Sequence, residues 1–329
     1  MRNKIDYSAA TVKVYHGYGH KGDFVVYGHV LAGKPVNPSR YSNNILSNSL
    51  HLAKLFFVKP IPYVQVQLQW ENQSFYCTTG ADGFFKFEWQ SANSVVAGWH
   101  QVLVHLLNSS GQIATTGEGK IFVPHSTQYG FISDIDDTVL VSHSADTGKK
   151  LRVMFTKNPR SRKTFADIVK YYQLLALAHT VPELPNPFFY VSSSEWNLYD
   201  DLNEFFKHND LPKGAFLLNK IKKWYQLFKT GNTKHQGKLI RVARILKVFP
   251  KQRFVLLGDN SQKDPEIYAT IAKKYPERIF AIYIRNISAE KEETTLKLMK
   301  SIHNKEIHTF LFKHTDEAIR HSKSIGLLD

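Results

Sequence analysis

Apolar residues change their spacing once along the chain, near residue 128. Before that point, residues 11–15, 24–31, 64–70, 83–89, 101–107 and 120–123 are rich in Val, aromatic and β-branched side chains and are separated by Gly, Pro, Asn and Ser. That is the composition of short strands joined by turns. Val64, Val66, Leu68 and Trp70 alternate with Gln65, Gln67 and Gln69, the period of a half-buried antiparallel strand. Asp82-Gly83, directly ahead of FFKFEW, signals a tight turn. Strands at this spacing predict an all-β, sandwich-like domain over residues 1–127. The stretch 38–54, polar and then mildly helical, reads as a long insertion between strands.

From Tyr129 onward, uninterrupted apolar runs alternate with helical periodicity. GFISDID, PFFYVSSS, GAFLLN, RFVLLGD and RIFAIYI read as buried strands, and residues 164–178, 198–208, 239–249 and 265–275 as the helices between them. The alternation predicts an α/β domain with a doubly wound parallel sheet over residues 128–329. Such sheets bind ligands beyond the carboxyl ends of their strands, so the polar residues that end these runs are where chemistry is expected.

Composition narrows the classes. With 43% hydrophobic residues in 329, the chain can bury a core and is not a disordered polymer. The single cysteine, Cys77, excludes an intrachain disulfide framework and fits a reducing compartment. The first residues contain no apolar signal core, and no run approaches the ~20 apolar residues of a membrane span. A soluble, cytoplasmic protein is expected, with peripheral membrane association open to it. The net charge of +15 is uneven: residues 131–329 hold 33 basic against 22 acidic residues, residues 1–130 ten against six. Such a balance suits nucleic acid, an anionic membrane or a phosphorylated substrate, or a basic surface with no partner.

Four clusters carry candidate chemistry. FISDIDDTV delivers Asp134, Asp136, Asp137 and Thr138 at a strand's end. Crowded carboxylates leaving water repel one another, and Mg²⁺, which takes hard oxygen ligands, relieves that cost; the plainer alternative is a turn or helix cap. FFYVSSS ends in Ser192, Ser193 and Ser194, donors for a phosphoryl oxygen or caps for the following helix. Lys238, opening an amphipathic stretch, can offset negative charge or be a solvated lysine, with Lys234 a near competitor. Asp259 ends a third buried run, and Asp264 follows five residues later, just before a Pro suited to the first helical turn. Asp264 therefore also reads as an N-cap.

Taken in order, DxDxT, strand-Ser, Lys and GDxxxxD resemble the four-motif signature of haloacid dehalogenase-like phosphatases over about residues 129–285. The resemblance implies a Rossmann-like core, Mg²⁺ and an aspartyl-phosphate intermediate. DIDDTV, YVSSSxWNLY and FVLLGDNSQKDPEIY are similar to the actin-patch-associated phosphatidate phosphatase family and its bacterial relatives, in which the catalytic region commonly follows a β-rich part. Two departures stand out: Glu195 where relatives often have Pro before Trp196, and Gly237 where they often have His before Lys238. By this resemblance Asp134 is the nucleophile, Asp136 the general acid and base, and Ser192 and Lys238 bind the transferring group. Asp134, Asp259, Asp264 and the Asp136 carbonyl hold Mg²⁺, while Asp137 and Thr138 support the loop.

Two acid-free basic stretches, 149–163 and 220–238 with Trp224, Tyr225 and Phe228, are expected to rim the site. Basic residues beside aromatics suit an anionic membrane surface and, almost as well, single-stranded nucleic acid. The expectation is a phosphatase acting on phosphatidate or a related lipid phosphate at a membrane surface, releasing diacylglycerol. The alternatives are a phosphomonoesterase on another ester, such as nucleic-acid ends, and a non-catalytic module that binds anionic membranes.

Overall fold

The computed structural model describes residues 7–33, 44–125, 129–141, 158–221, 233–302 and 306–329. Contacts divide the chain into two compact units, one comprising Met1–Arg40 and Ala53–Pro124, the other Tyr41–Leu52 and His125–Asp329. The division thus falls at 124/125, where the periodicity changes near 128, and the stretch 41–52 groups with the second unit.

In the first unit the described strands are β1 (Ala10–Val14), β2 (Gly17–His20), β3 (Asp23–Ala32), β4 (Lys59–Pro60), β5 (Gln65–Trp70), β6 (Gln73–Thr78), β7 (Phe84–Trp89), β8 (Gly98–Leu107) and β9 (Ile113–Val123). They form one sheet in the order β1-β3-β2-β9-β8-β5-β6, with β4 and β7 also paired to β3. A sandwich-like pair of sheets is expected from sequence; here the short strand β2 bonds antiparallel to β3 and parallel to β9, joining the two halves. Val66, Leu68 and Trp70 are buried as their alternation with glutamines predicts. They share one apolar core with Val12, Phe24, Phe87 and Val104. Gly83 takes a φ of +71° in the turn before β7, and a Cβ there would lie 2.6 Å from the Val30 carbonyl oxygen, which is why glycine stands at this point.

The second unit contains six parallel strands among the described residues: β10 (Gly130–Ser133), β11 (Phe188–Glu195), β12 (Gly214–Asn219), β13 (Phe254–Asp259), β14 (Ile279–Arg285) and β15 (His308–Phe312). Their order is β12-β11-β10-β13-β14-β15. The described α-helices are α1 (Ile45–Phe56), α2 (Ile168–Ala176), α3 (Tyr199–His208), α4 (Thr233–Val248), α5 (Asp264–Lys274), α6 (Glu292–Lys300) and α7 (Thr315–Ser324), with α1 running from the second unit's share of the chain into the first's. Every residue of β10, β13 and β14 is buried, as expected where both faces of a parallel sheet are covered. Aromatic contacts such as Phe131 stacked on Phe188, with centroids 4.9 Å apart, help fill the core. Among the described residues no helix is long and apolar enough to cross a membrane.

Strand order reverses beside β10: β11 and β12 extend to one side, and the chain then crosses to β13 on the other. Such a switch point opens a crevice at the carboxyl ends of the strands flanking it. Those strands, β10 and β13, end on the two acidic motifs.

Candidate active site

Asp134 follows β10 directly and its amide donates to the Leu257 carbonyl of β13 at 2.9 Å. The chain then turns back within a few residues. The Val139 and Leu140 amides both donate to the Ile135 carbonyl at 3.0 Å, and the Asp137 amide donates to the Leu140 carbonyl at 2.8 Å. Asp137 holds this turn with φ at +60°, a left-handed conformation that Asp tolerates better than most residues. Thr138 donates from its hydroxyl to Asp259 Oδ2 at 3.3 Å, so it ties the first motif to the last.

Asp259 ends β13, and its Oδ1 accepts from the Ser261 amide at 2.6 Å. The loop beyond is pinned by Asn260. Its Oδ1 accepts from the amides of Ile287 and Ser288, and its Nδ2 donates to Asn286 Oδ1 and the Ser288 carbonyl. Helix α5 begins on Asp264, with Lys263 in the cap position. Asp264 is therefore the first helical residue, and its carboxylate turns inward onto Lys238. Gly258 makes room for it: a Cβ there would meet Asp264 Oδ2 at 2.6 Å and Tyr268 Cε2 at 2.8 Å.

Lys238, near the start of α4, is buried between two carboxylates, donating to Asp134 Oδ1 at 2.7 Å and to Asp264 Oδ1. Lys234 also lies on α4, but its side chain is outside the described residues, as are residues 149–157 and 222–232 of the two basic stretches. One turn beyond Lys238, Arg241 donates to Asn219 Oδ1 at 2.9 Å and to the Ser192 carbonyl at 3.3 Å. It links α4 to the ends of β11 and β12. At that end, pairing of β11 with β12 shifts register between Val191 and Glu195. Here the Ser192 and Ser194 hydroxyls both donate to Asp136 Oδ2, at 3.1 and 2.7 Å, while Ser192 Oγ accepts from the Ser194 amide. A hydroxyl has one proton to donate. In this structure Ser192 gives its own to Asp136, and not to the crevice where a phosphoryl oxygen is expected.

All six sequence-derived residues, Asp134, Asp136, Ser192, Lys238, Asp259 and Asp264, therefore converge. Ser194, one of the three serines the sequence offers as donors, joins them, and so does Arg241, which the sequence reading does not name. Arg241 had a signal: it lies three residues from Lys238 on a helix.

The cluster is short of positive charge. Asp134, Asp259 and Asp264 are buried, and they offer ligand atoms all within 4.8 Å of one another. Asp134 Oδ2 is buried with no hydrogen-bond partner. Burial, and then the repulsion of Asp264, Asp259 and Asp136, push the Asp134 carboxyl well above the usual range, against the pull of Lys238. Asp259 is pushed up to about 7 by burial and by Asp264. Burial disfavours the Lys238 ammonium, but Asp134 and Asp264 outweigh it and hold its proton more firmly than in water. The buried Arg285 guanidinium, 4.4 Å from the Phe165 ring centroid, adds positive potential toward Asp259. Hard oxygen donors, an orphaned carboxylate oxygen and like charges in low dielectric are what a small divalent cation would satisfy. The residues present fit Mg²⁺. The Asp136 side chain stands apart from this ligand set, engaged by the serines.

A family model described as "Phosphatidate phosphatase APP1, catalytic domain" matches residues 129–286, a range that contains all six residues. Phosphatidate phosphatase APP1 of Saccharomyces cerevisiae is 34% identical over 159 residues, covering 47% of this chain and 25% of that protein. An uncharacterized protein of Schizosaccharomyces pombe is 26% identical over 171 residues, covering 50% of this chain and 27% of that one. In this region the chain is close to the APP1 family, although it spans only about a quarter of the length of these curated relatives. Among solved structures, a carbohydrate acetylesterase from Xanthomonas citri aligns over 92% of this chain and 68% of its own, at 9% identity and a TM-score of 0.29, too low to inform fold or function.

Proposed function

We propose that this chain is a Mg²⁺-dependent phosphatase of the haloacid dehalogenase-like type, acting through an aspartyl-phosphate on phosphatidate or a related lipid phosphate. One observation carries the proposal. Asp134 is a buried carboxylate at the switch point with one oxygen bound by Lys238 and the other unpartnered. A carboxylate nucleophile is helped by a cationic neighbour that favours its charged form and needs a bare oxygen to react, and Asp134 has both. The similarity to phosphatidate phosphatase APP1 supports the choice of ester.

In the proposed reaction the free oxygen of Asp134 attacks phosphorus in line, and the bond from phosphorus to the ester oxygen breaks. Asp136 delivers a proton to the departing alkoxide, which leaves as diacylglycerol. Water then attacks the phosphoaspartate, Asp136 takes its proton, and Asp134 and inorganic phosphate are released. Two serine hydroxyls on one oxygen of Asp136 fix the carboxyl for both transfers. Lys238 opposes the upward push on the Asp134 carboxyl, favouring its ionised form, and draws phosphoryl oxygens into the crevice. Asp134, Asp259 and Asp264 would hold Mg²⁺, which when bound neutralises phosphoryl charge.

Phosphate release from phosphatidate, with Mg²⁺ and with a chelator, tests the proposal. Release that depends on Mg²⁺ is expected. Release from phosphorylated oligonucleotides but not from phosphatidate would move the assignment to a nucleic-acid phosphatase, and no release from any ester would favour the binding module.

A further inference from the structure

Helix α1 carries two leucines, Leu46 and Leu50, that are 73% and 65% exposed. They are four residues apart, one above the other on the same side of the helix. Lys54, exposed as well, continues the row. A single exposed leucine needs no explanation, but adjacent ones in line suggest a surface that something covers. We propose that this side of α1 docks the catalytic unit on an anionic phospholipid bilayer, with Leu46 and Leu50 entering the interface and Lys54 meeting the headgroups. The proposal rests on the lipid-phosphate reading and identifies the surface that would bring the site to its substrate.

The location favours it. His51, on the same helix, bonds through Nε2 to Asp201 Oδ1 at 2.8 Å, and both residues belong to the second unit. Asp201 is itself buried and also accepts from Arg162 Nη2 at 3.4 Å. It lies in the first turn of α3, which starts four residues after β11 ends. The start of α3 therefore lies on the side of the sheet where strand carboxyl ends gather, and α1 is tied to the active face.

Charge selects the occupant. Helix α1 itself contains no Asp or Glu, and Lys54 is its one lysine. The chain as a whole carries +15. An apolar row set in acid-free, basic sequence is complementary to an anionic interface. A second copy of this basic chain would bring like charge to the same surface.

The test uses the full chain and the double variant Leu46→Ser, Leu50→Ser. Both side chains are exposed, so an unchanged melting curve is expected. Flotation with phosphatidylcholine–phosphatidate vesicles should show retention reduced by about tenfold or more, and turnover on those vesicles should fall with it. Turnover on dioctanoyl phosphatidate, monomeric in solution, should match the parent, because the carboxylates and Lys238 are untouched. Salt should weaken vesicle binding of the parent by screening Lys54 and the chain's net positive charge. Equal flotation of variant and parent overturns the proposal and leaves the lipid-phosphate reading standing. A matching loss on the monomeric substrate overturns it in favour of a structural role. Loss of self-association without loss of flotation overturns it in favour of a dimer contact. If the parent hydrolyses neither form of phosphatidate, the lipid reading fails, and the occupant named here with it.

Discussion

Replacing Lys238 by Met would remove the one lysine that, among the described residues, the buried carboxylates share, while keeping most of its length. In the native arrangement the ammonium donates to Asp134 Oδ1 at 2.7 Å and to Asp264 Oδ1, and all three groups are buried. Removing one partner of a buried ion pair typically costs about 3–5 kcal/mol, because the remaining charge stays desolvated. The methionine adds little cavity or strain cost. The carboxylates can recover part of the loss by taking up a proton. The Asp134 carboxyl is already pushed upward by burial and its acidic neighbours, so the loss should be largest in alkaline solution. Chemical unfolding followed by circular dichroism, with chelator present, should show a deficit of about 3–5 kcal/mol near pH 8, smaller near pH 5. Excess Mg²⁺ should recover part of it by binding only the folded state. Stability equal to the parent near pH 8 in chelator would refute the claim that Lys238 compensates this cluster.

Without metal, Asp259 should make stability fall as pH rises. Its folded value near 7 lies above its ordinary 3.8, so between the two the folded chain holds a proton that the unfolded chain lacks, and that stabilisation is lost by about pH 7. Melting temperatures measured across this window in chelator should show the slope, and Asp259→Asn should flatten it. Gly258→Ala places a Cβ 2.6 Å from Asp264 Oδ2; Mg²⁺ affinity and turnover should both drop, and an unaffected Mg²⁺ titration would contradict the placement of Asp264. Ser194→Ala removes the shorter of the two hydroxyl contacts to Asp136. It should lower kcat by roughly tenfold or more with little change in KM, on the scale of general acid–base contributions, and an unchanged kcat would separate Ser194 from the proton transfers.

The parallel strands β10 to β14 were legible because each is a nearly closed apolar run, the pattern of a strand buried on both faces. The carboxylates were legible for the same reason: a polar residue that ends such a run is delivered to the carboxyl edge of the sheet. In the first unit, β2 was missed because two of its four residues are glycines, and β6 because alternate residues of an end strand face solvent and dilute its pattern. The last forty residues were not read, although HTFLF forms β15 and a capping box at His314 starts α7. The N-cap alternative for Asp264 failed because the helix begins on Asp264 itself and its carboxylate is drawn to Lys238. Ser192 offered a donor at the right strand end, but its target is Asp136, 56 residues away in sequence. That is a tertiary event with no local signature. The same holds for Arg241, whose partners Asn219 and Ser192 lie far from it in sequence.

The carboxylate of Asp134 is the centre of the proposed chemistry. Asp134→Asn keeps its size and its place beside Lys238 and removes only the nucleophilic charge. Phosphate release from phosphatidate with saturating Mg²⁺ should fall by at least ~10³-fold, as for other essential catalytic groups, while the folded variant keeps its circular dichroism spectrum. Release at a rate close to the parent's would contradict the assignment of Asp134 as nucleophile.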